Sequence, residues 1–417
     1  MAQITKDILI LQKRELDKRI KEKYIDRGNE LKGLNSNIIK VIIGPRRAGK
    51  SFFAIHTLDK YGNFGYVNFD DEKLIETENY DEVITAVNSV YNNPKVILFD
   101  EIQNLAKWEL FVNRLQRQDY NLVITGSNAQ LLSKELATHL TGRCFLTYIF
   151  PFSFKEYLQF EEEPTTTEIK EKLSNYLIYG GYPEPLLKNL GYGDYLSTLF
   201  GSIIYKDIVK RYKIRSADEI ENLAFYLLSN IATEYSYHSL TKISGIKSSH
   251  TIQKYLGYLE EALIFFSLNR FSYKVKEQLA SNKKIYCIDN GFITAKSFKL
   301  SPDIGKLYEN LVAIELKKKE MKNKLSVFYW KNPQQEEVDF VLKKGAKVKQ
   351  LIQVCFNISN VKTKDREIRA LLKASRELKC QDLLIITENY DNEKNIEWFG
   401  IKRNIKFLPL WKWLLEK

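Results

Sequence analysis

Cysteine and methionine are scarce in this chain of 417 residues, which has four of the former and two of the latter. The cysteines Cys144, Cys287, Cys355 and Cys380 never occur as CxxC, which argues against a zinc ribbon and against a disulfide framework. No window approaches about 20 uncharged apolar residues, and residues 1–23 lack the residue order of a secretory signal. We therefore expect free thiols, a soluble cytoplasmic protein and no membrane partner.

Charge is distributed unevenly along the chain, whose formal net charge is +12. Residues 1–200 sum to −2, whereas residues 201–417 sum to +14. A basic half favours a polyanionic partner, because each phosphate that is neutralised releases condensed counterions. A lysine-rich solvated surface explains the same charge equally well. Nucleic acid, with DNA preferred over RNA, is therefore one candidate partner of residues 201–417.

The first 150 residues alternate short apolar runs with helical stretches. The runs are rich in β-branched residues and span residues 38–44, 64–69, 95–100 and 121–126. Such runs are typical of parallel strands that are buried on both faces. The alternation predicts an α/β fold with a parallel sheet and crossover helices. After about residue 165 the apolar spacing becomes helical, and strand-like runs return only after about residue 264.

One contiguous motif indicates phosphate binding. It consists of Gly44, Pro45, Arg46, Arg47, Ala48, Gly49, Lys50 and Ser51, which match the P-loop or Walker A pattern GxxxxGK[ST]. The glycines let the backbone N–H groups point at phosphate oxygens, and the following helix presents its positive end to the same anion. We expect Lys50 to reach the β- and γ-phosphates and Ser51 to ligate the Mg²⁺ that bridges them. No NKxD loop is present, so the expected nucleotide is ATP.

Two further strands end in polar residues that suit this chemistry. The run VILFDE places Asp100 and Glu101 at the carboxyl end of a strand, where open α/β sheets bind ligands. We expect Asp100 to hold Mg²⁺ and Glu101 to activate the attacking water, although a helix N-cap would explain the pair in isolation. The run LVITGSN places Asn128 after another strand, where it would position that water or form an Asx turn.

Three arginines are candidates for stabilising charge in the transition state: Arg46, Arg47 and Arg143. An arginine finger is supplied either by the same chain or by a neighbouring subunit, so this role is compatible with a homo-oligomer. Arg143 is the preferred candidate, because it is expected near the start of the next strand. A structural ion pair explains any one of the three equally well.

Several motifs taken together resemble those of the prokaryotic "archaeal ATPase" family of AAA+-type P-loop proteins. They are GPRRAGKS, VILFDEIQN, TGSN, TGRC, IFPFSFKEYL and GGYPE, and the resemblance covers nearly the whole chain. It implies an additional-strand ATPase core, a helical lid-like region, a winged-helix segment and a C-terminal domain with a PD-(D/E)xK nuclease-like fold. The corresponding domain ranges are residues 1–150, 151–215, 216–298 and 299–417.

The winged-helix segment has helix-turn-helix spacing of its own. Ser239 is expected to cap a short helix that ends at Gly245, and Ser248 or Ser249 to cap a second helix that ends at about Glu261. The second helix would present three polar residues to a groove: His250, Gln253 and Lys254. Because that helix lacks arginine, we expect contact with phosphates rather than base reading, and a protein-binding role remains the alternative.

In the last domain, Glu309, Asp339, Gln353 and Cys355 fall where the nuclease-like arrangement has its acids and its lysine. Two carboxylates would hold Mg²⁺ in such a site, and the lysine would polarise water. Here Gln353 replaces the second acid and Cys355 replaces the lysine, so we expect this domain to bind rather than to cut. Tyr329 and Trp330 are candidates for stacking on bases, although alternating strand spacing places one of them in the core.

These observations give three functional hypotheses. The first is an ATPase that uses Mg²⁺ and is coupled to a basic C-terminal half that binds nucleic acid. The second is a slow, nucleotide-gated switch that acts on a protein partner. The third is a metal-dependent nuclease.

Overall fold

The computed structural model describes residues 2–77, 79–127, 144–297, 303–322 and 324–416. The chain forms two compact units, Met1–Pro151 and Phe152–Lys417. Within the described ranges, every helix is either too short or too polar to cross a bilayer.

The first unit alternates helices and strands, as the apolar runs predict. Its helices are α1 (Ala2–Ile20), α2 (Lys50–Tyr61), α3 (Glu72–Ile75), α4 (Tyr80–Tyr91) and α5 (Trp108–Arg117). Its strands are β1 (Ile39–Gly44), β2 (Phe64–Asn68), β3 (Val96–Asp100), β4 (Asn121–Ser127) and β5 (Cys144–Tyr148).

The described strands of this unit form one parallel sheet in the order β2-β3-β4-β1-β5. All residues of β1 and of β3 are buried, which confirms that the apolar runs are strands covered on both faces. The additional strand β4 lies between β1 and β3, the two strands that lead into the Walker residues. The predicted α/β fold class with a parallel sheet is confirmed.

Helix α1 contacts the edge strand of this sheet. Gln12 Nε2 donates a hydrogen bond to Asn68 O at 2.9 Å, and Gln12 Oε1 accepts one from Asn68 N–H at 2.9 Å. One side chain thereby satisfies both backbone groups of a residue on a strand edge that would otherwise be open to pairing. From the same helix, Arg19 Nη1 donates to Tyr66 OH at 3.1 Å.

The second unit is helical at first and ends in a sheet. Its helices are α6 (Phe154–Tyr157), α7 (Thr166–Tyr179), α8 (Pro183–Lys188), α9 (Tyr192–Ser202), α10 (Lys210–Tyr212), α11 (Ala217–Ser229), α12 (Tyr237–Ser244), α13 (Ser249–Glu261), α14 (Val275–Ala280), α15 (Asn290–Lys296), α16 (Ile304–Met321), α17 (Val361–Glu377) and α18 (Leu410–Leu415). A π-helix (Ile203–Val209) joins α9 to α10.

Strands return where the sequence predicts them, apart from one short early strand. They are β6 (Glu234–Tyr235), β7 (Phe265–Asn269), β8 (Lys283–Cys287), β9 (Ser326–Lys331), β10 (Glu337–Lys344), β11 (Lys347–Val354), β12 (Leu383–Thr387), β13 (Asn392–Trp398) and β14 (Ile401–Pro409). Among the described residues, they form a small antiparallel sheet in the order β6-β8-β7 and a larger mixed sheet in the order β13-β14-β12-β11-β10-β9.

The helix pair α12–α13 has the predicted spacing but a different cap. Ser236 Oγ accepts a hydrogen bond from Ser239 N–H at 3.0 Å, and Ser239 Oγ accepts one from Ser236 N–H at 3.1 Å. Ser239 is therefore the third residue of α12, and the prediction that it caps this helix was wrong, because the reciprocal capping box starts the helix earlier. Helix α12 ends before Gly245 and α13 ends at Glu261, as predicted.

The larger sheet combines antiparallel and parallel strands around two helices. Helix α16 precedes the antiparallel strands β9, β10 and β11, and α17 connects β11 to the parallel strand β12. Residues of β10, β11, β12 and β14 form one apolar core with α17, represented by Val341, Leu351, Leu371, Ile385 and Phe407.

Tyr329 and Trp330 of β9 are both buried, with relative exposures of 0% and 2%. Tyr329 OH donates to Asn282 O at 2.6 Å, and Trp330 Nε1 donates to Glu377 Oε1 at 3.1 Å. The prediction that one of them is available to stack on bases was wrong, because β9 is covered on both faces.

Candidate functional site

The Walker A residues form the connection between β1 and α2. Gly49 has φ 94° and ψ 24°, a left-handed conformation that side chains with a Cβ rarely adopt. A Cβ at Gly44 would lie 1.9 Å from Ile149 O, because the Ile149 backbone runs beside the end of β1 and donates its N–H to Ile43 O at 2.8 Å. Backbone geometry therefore accounts for both glycines of the motif.

This loop leads into the positive end of a helix of 12 residues. Lys50 is the first residue of that helix, and its side chain is 3% exposed. Its Nζ donates a hydrogen bond to Pro45 O at 3.2 Å, which folds the side chain back over the loop. A buried ammonium group and a helix N-terminus on the same loop favour an anionic ligand. Arg46 is half-buried and Arg47 is exposed on the same loop.

Asp100, the last residue of β3, is 2% exposed and surrounded by hydroxyl donors. Ser51 Oγ donates to Asp100 Oδ1 at 2.8 Å, and Thr125 Oγ1 donates to the same oxygen. Tyr66 OH donates to Asp100 Oδ2 at 3.1 Å. Burial raises the pKa of Asp100, and the neighbouring charge of Glu101 acts in the same direction. The structure thus brings Asp100 next to Ser51, as their predicted shared role requires.

Glu101 follows in a left-handed conformation with φ 52° and points towards the P-loop. Its Oε1 lies 3.8 Å from Lys50 Nζ, and its Oε2 accepts hydrogen bonds from Gln103 Nε2 and, at 3.3 Å, from Ser127 N–H. Burial acts to raise the pKa of Glu101, but Lys50 and the two hydrogen-bond donors outweigh burial and hold this pKa below its ordinary value. The side chain is therefore an ionised carboxylate, the form that a general base needs.

The donors around Ser51 and Asp100 suit a hard cation. Mg²⁺ prefers oxygen ligands and is commonly bound through one or two protein groups together with substrate phosphates. A hydroxyl and a carboxylate that lie 2.8 Å apart beside a phosphate-binding loop fit this requirement.

Two of the predicted site residues lie outside the residues that the structure describes. Conversely, several residues that contact the site were not predicted. Asn128 and Arg143 fall outside the described residues. Three residues that were not predicted, Thr125, Gln103 and Tyr66, hydrogen-bond to Asp100 or Glu101. A signal existed for Thr125, which is a polar residue inside the apolar run LVITG.

Arg27 was also not predicted, and the sequence around it contains no motif that marks it. It is 8% exposed, and its Nη1 donates to Ala48 O of the P-loop at 3.1 Å. Its Nη2 donates to Phe150 O. One guanidinium therefore connects the P-loop to the segment that follows β5.

The fold and the site together define an ATPase-like P-loop fold. Sequence profiles of three families match the chain: one described as AAA domain over residues 36–158, and two described as domains of unknown function, DUF8612 over residues 170–302 and DUF4143 over residues 304–413.

Two relatives match over most of the chain. The uncharacterized protein MJ1544 of Methanocaldococcus jannaschii is 36% identical over 98% of this chain and 94% of its own length. An uncharacterized protein of Haemophilus influenzae is 31% identical over 81% of this chain and 87% of its own length. The chain belongs to the same family as these two relatives. Among solved structures, the Walker-type ATPase PABY2304 of Pyrococcus abyssi has a TM-score of 0.45 and 14% identity, covering 66% of this chain and 96% of that one.

Proposed function

We propose that the chain binds ATP with Mg²⁺ and hydrolyses it at the site between β1 and β3. One observation carries the proposal: the carboxylates at the end of β3 meet the end of the P-loop. Ser51 Oγ lies 2.8 Å from Asp100 Oδ1, and Lys50 Nζ lies 3.8 Å from Glu101 Oε1. Residues suited to phosphate binding and residues suited to metal and water chemistry therefore share one place.

Each residue has a distinct proposed task. The loop from Gly44 to Ser51 would surround the phosphates with backbone N–H groups, and Lys50 would contact the β- and γ-phosphates. Ser51 and Asp100 would hold Mg²⁺, which when bound offsets the charge of the phosphate oxygens. Glu101 would accept a proton from the attacking water.

Two residues complete this proposal. Asn128 would position the attacking water, and Arg143, from this chain or a neighbouring copy, would stabilise charge on the transferring phosphate. Arg46 and Arg47 are the alternative arginines. Arg46 acts to lower the pKa of Glu101, which supports its proximity to the reacting groups.

Replacing the proposed base tests the reaction. Purified protein should release phosphate from ATP in the presence of Mg²⁺, and Glu101→Gln should lower kcat by about 100-fold or more. Calorimetry should show that Glu101→Gln still binds ATP, because the amide keeps the shape of the carboxylate and leaves the loop intact. Lys50→Ala should lose binding.

The matched control is Glu72→Gln, which removes an exposed carboxylate on α3. This variant should hydrolyse ATP at the wild-type rate. A wild-type rate from Glu101→Gln would remove the base assignment, and the absence of ATP binding by the wild type would remove the whole proposal. Tight binding with very slow turnover would favour the nucleotide-gated switch.

We further propose that residues 201–417 bind DNA through a winged-helix segment within residues 216–298. Helix α13 exposes His250, Gln253 and Lys254 near its N-terminal end. The helix pair is followed by β7 and β8 of the small antiparallel sheet, as a helix-turn-helix with a wing requires. The charge of +14 on residues 201–417 supports a polyanionic ligand.

Fluorescence anisotropy with a labelled DNA duplex tests this second part of the proposal. Affinity should fall steeply as the salt concentration rises, and Lys254→Ala should weaken binding at every salt concentration. Lys170→Ala, which removes an exposed lysine on α7, is the matched control and should bind as the wild type does. Absence of DNA binding at low salt would overturn this part and direct attention to a protein partner.

A further inference from the structure

Three carboxylates converge on one pocket in the second unit. Glu309 projects from α16, and Glu337 and Asp339 project from β10. Their side-chain exposures are 15%, 26% and 8%. Asp339 is the acid that the nuclease-like resemblance assigns to Mg²⁺, and Glu309 is the helix glutamate of the same arrangement. A buried cluster of this kind requires a positive charge, because unpaired carboxylates are costly away from water.

A lysine from a different sheet supplies that charge. Lys284 of β8 is 3% exposed, and its Nζ lies 2.5 Å from Glu337 Oε1, 2.9 Å from Glu309 Oε1 and 3.4 Å from Asp339 Oδ1. Burial acts to lower the pKa of Lys284, but the surrounding carboxylates outweigh burial and raise this pKa well above its ordinary value. Tyr286, on the same face of β8, donates its hydroxyl to Glu309 Oε1 at 2.7 Å.

The remaining positions of the pocket are also filled by protein groups. Asp339 Oδ2 accepts a hydrogen bond from Val354 N–H at 2.9 Å. Gln353 Oε1 accepts one from Asp339 N–H at 3.2 Å, and Gln353 Nε2 donates to Glu367 Oε2 at 2.6 Å. The Cys355 side chain is buried, and burial raises the pKa of its thiol to about 11.

These residues do not fit a divalent cation. Mg²⁺ requires oxygen ligands at about 2.1 Å in near-octahedral geometry, whereas an ammonium group already occupies the point that the carboxylates share. Within the ranges that the structure describes, no three His, Cys, Asp or Glu side chains are arranged to hold a metal ion. The pocket therefore disagrees with the metal site that the nuclease-like resemblance implies.

We propose that the Lys284 ammonium takes the place of a divalent cation in this pocket and thereby links the small β6-β8-β7 sheet to the larger sheet without metal. The lysine that a nuclease site carries beside its second acid is absent from that position, and a lysine from another element has entered the acid cluster instead. This inference is independent of ATP hydrolysis at the P-loop.

Titration with Mn²⁺ tests the proposal in the full chain without nucleotide. All variants carry Asp100→Asn, so that the P-loop site does not contribute to metal binding. The Lys284-containing protein, which carries Asp100→Asn alone, should show no Mn²⁺ binding by calorimetry. Its Tm should not change on addition of Mn²⁺. Lys284→Ala should lower Tm and should regain about 4 °C or more on addition of millimolar Mn²⁺, because Glu309 and Asp339 then lose their lysine and Glu337 keeps only Lys331, at 3.9 Å.

The matched control is Lys283→Ala, which removes the neighbouring lysine on the other face of β8 and should leave Tm independent of Mn²⁺. If Lys284→Ala does not fold by itself, Mn²⁺ present during refolding should restore the fold. Mn²⁺ binding by the Lys284-containing protein that is lost on Asp339→Asn would overturn the proposal. So would a Lys284→Ala variant whose Tm or refolding does not respond to Mn²⁺.

Discussion

Thr125 Oγ1 donates a hydrogen bond to Asp100 Oδ1 and accepts one, at 3.1 Å, from the backbone N–H of Glu101. Thr125 is fully buried in β4, the strand between β1 and β3. One hydroxyl group therefore orients both the carboxylate proposed to hold the metal and the backbone of the residue proposed to activate water. This contact gives the additional strand a direct part in the site.

Thr125→Val should damage both stability and turnover. Valine has the same shape but leaves the Glu101 N–H unpaired and removes a donor from Asp100, which should cost about 2 kcal/mol in the free energy of unfolding. We expect kcat for ATP to fall about 10-fold, because Asp100 and Glu101 lose the hydroxyl group that orients both of them. Urea denaturation and phosphate release measure the two effects.

Thr147→Val is the matched control, because Thr147 is a buried threonine of β5 in the same sheet. The control should change kcat by less than about 2-fold, since Thr147 does not contact Asp100 or Glu101 in the described part of the chain. Equal losses in the two variants would mean that Thr125 acts only through packing.

The sequence was sufficient to predict the loop and the central strands of the first unit. Phosphate binding by backbone N–H groups requires consecutive residues, so the motif from Gly44 to Ser51 is contiguous and visible. Strands buried on both faces are continuous apolar runs, which made β1, β3 and β4 recognisable. By contrast, the hydrogen bonds of Tyr66 and Thr125 to Asp100 depend on the order of β2, β3 and β4 in the sheet, which no local pattern contains.

The pocket around Lys284 shows the same limit over longer distances. The nuclease-like pattern places a lysine beside the second acid, where this chain has Cys355. Lys284 is 25 residues from Glu309 and 55 residues from Asp339, and it lies on a strand of a different sheet. Only the packing of β8 against α16 and β10 brings these charges together. A search based on motif spacing could therefore not find the contacts of Lys284 with the two carboxylates.

Arg27→Met should weaken ATP binding without touching the nucleotide-binding residues. The methionine keeps an apolar stem but leaves Ala48 O and Phe150 O without the guanidinium that now donates to both. Because Ala48 belongs to the P-loop, a less constrained loop should raise the Kd for ATP about 10-fold. Calorimetry with ATP and Mg²⁺ measures this change.

Arg14→Met provides the control, since Arg14 is exposed on α1. This variant should bind ATP with wild-type affinity. An unchanged Kd in a folded Arg27→Met protein would show that the loop holds its conformation by itself, and would remove the positioning role of Arg27.

Asp289 should make the stability of the chain depend on pH. Its carboxylate is buried and accepts hydrogen bonds from Gly181 N–H at 2.8 Å and Gly291 N–H at 2.9 Å. Burial nevertheless raises the pKa of Asp289 from 3.8 to about 6, so between these two pH values the folded state holds a proton that the unfolded chain has released. The stabilisation from this proton is fully present below about pH 4 and is lost as the pH rises through about 6.

Asp289→Asn cannot titrate and should lack this dependence. Between pH 4 and pH 7, the free energy of unfolding of Asp289→Asn should rise relative to that of the wild type by about 3 kcal/mol. This is the free energy that corresponds to the shift of the Asp289 pKa from 3.8 to about 6. Urea denaturation at several pH values measures the difference, and Asp194→Asn, which removes an exposed carboxylate on α9, is the control. A difference that stays constant with pH, or that changes in favour of the wild type, would show that Asp289 is ionised in the folded protein throughout this range. In that case, the two glycine N–H groups would outweigh the effect of burial.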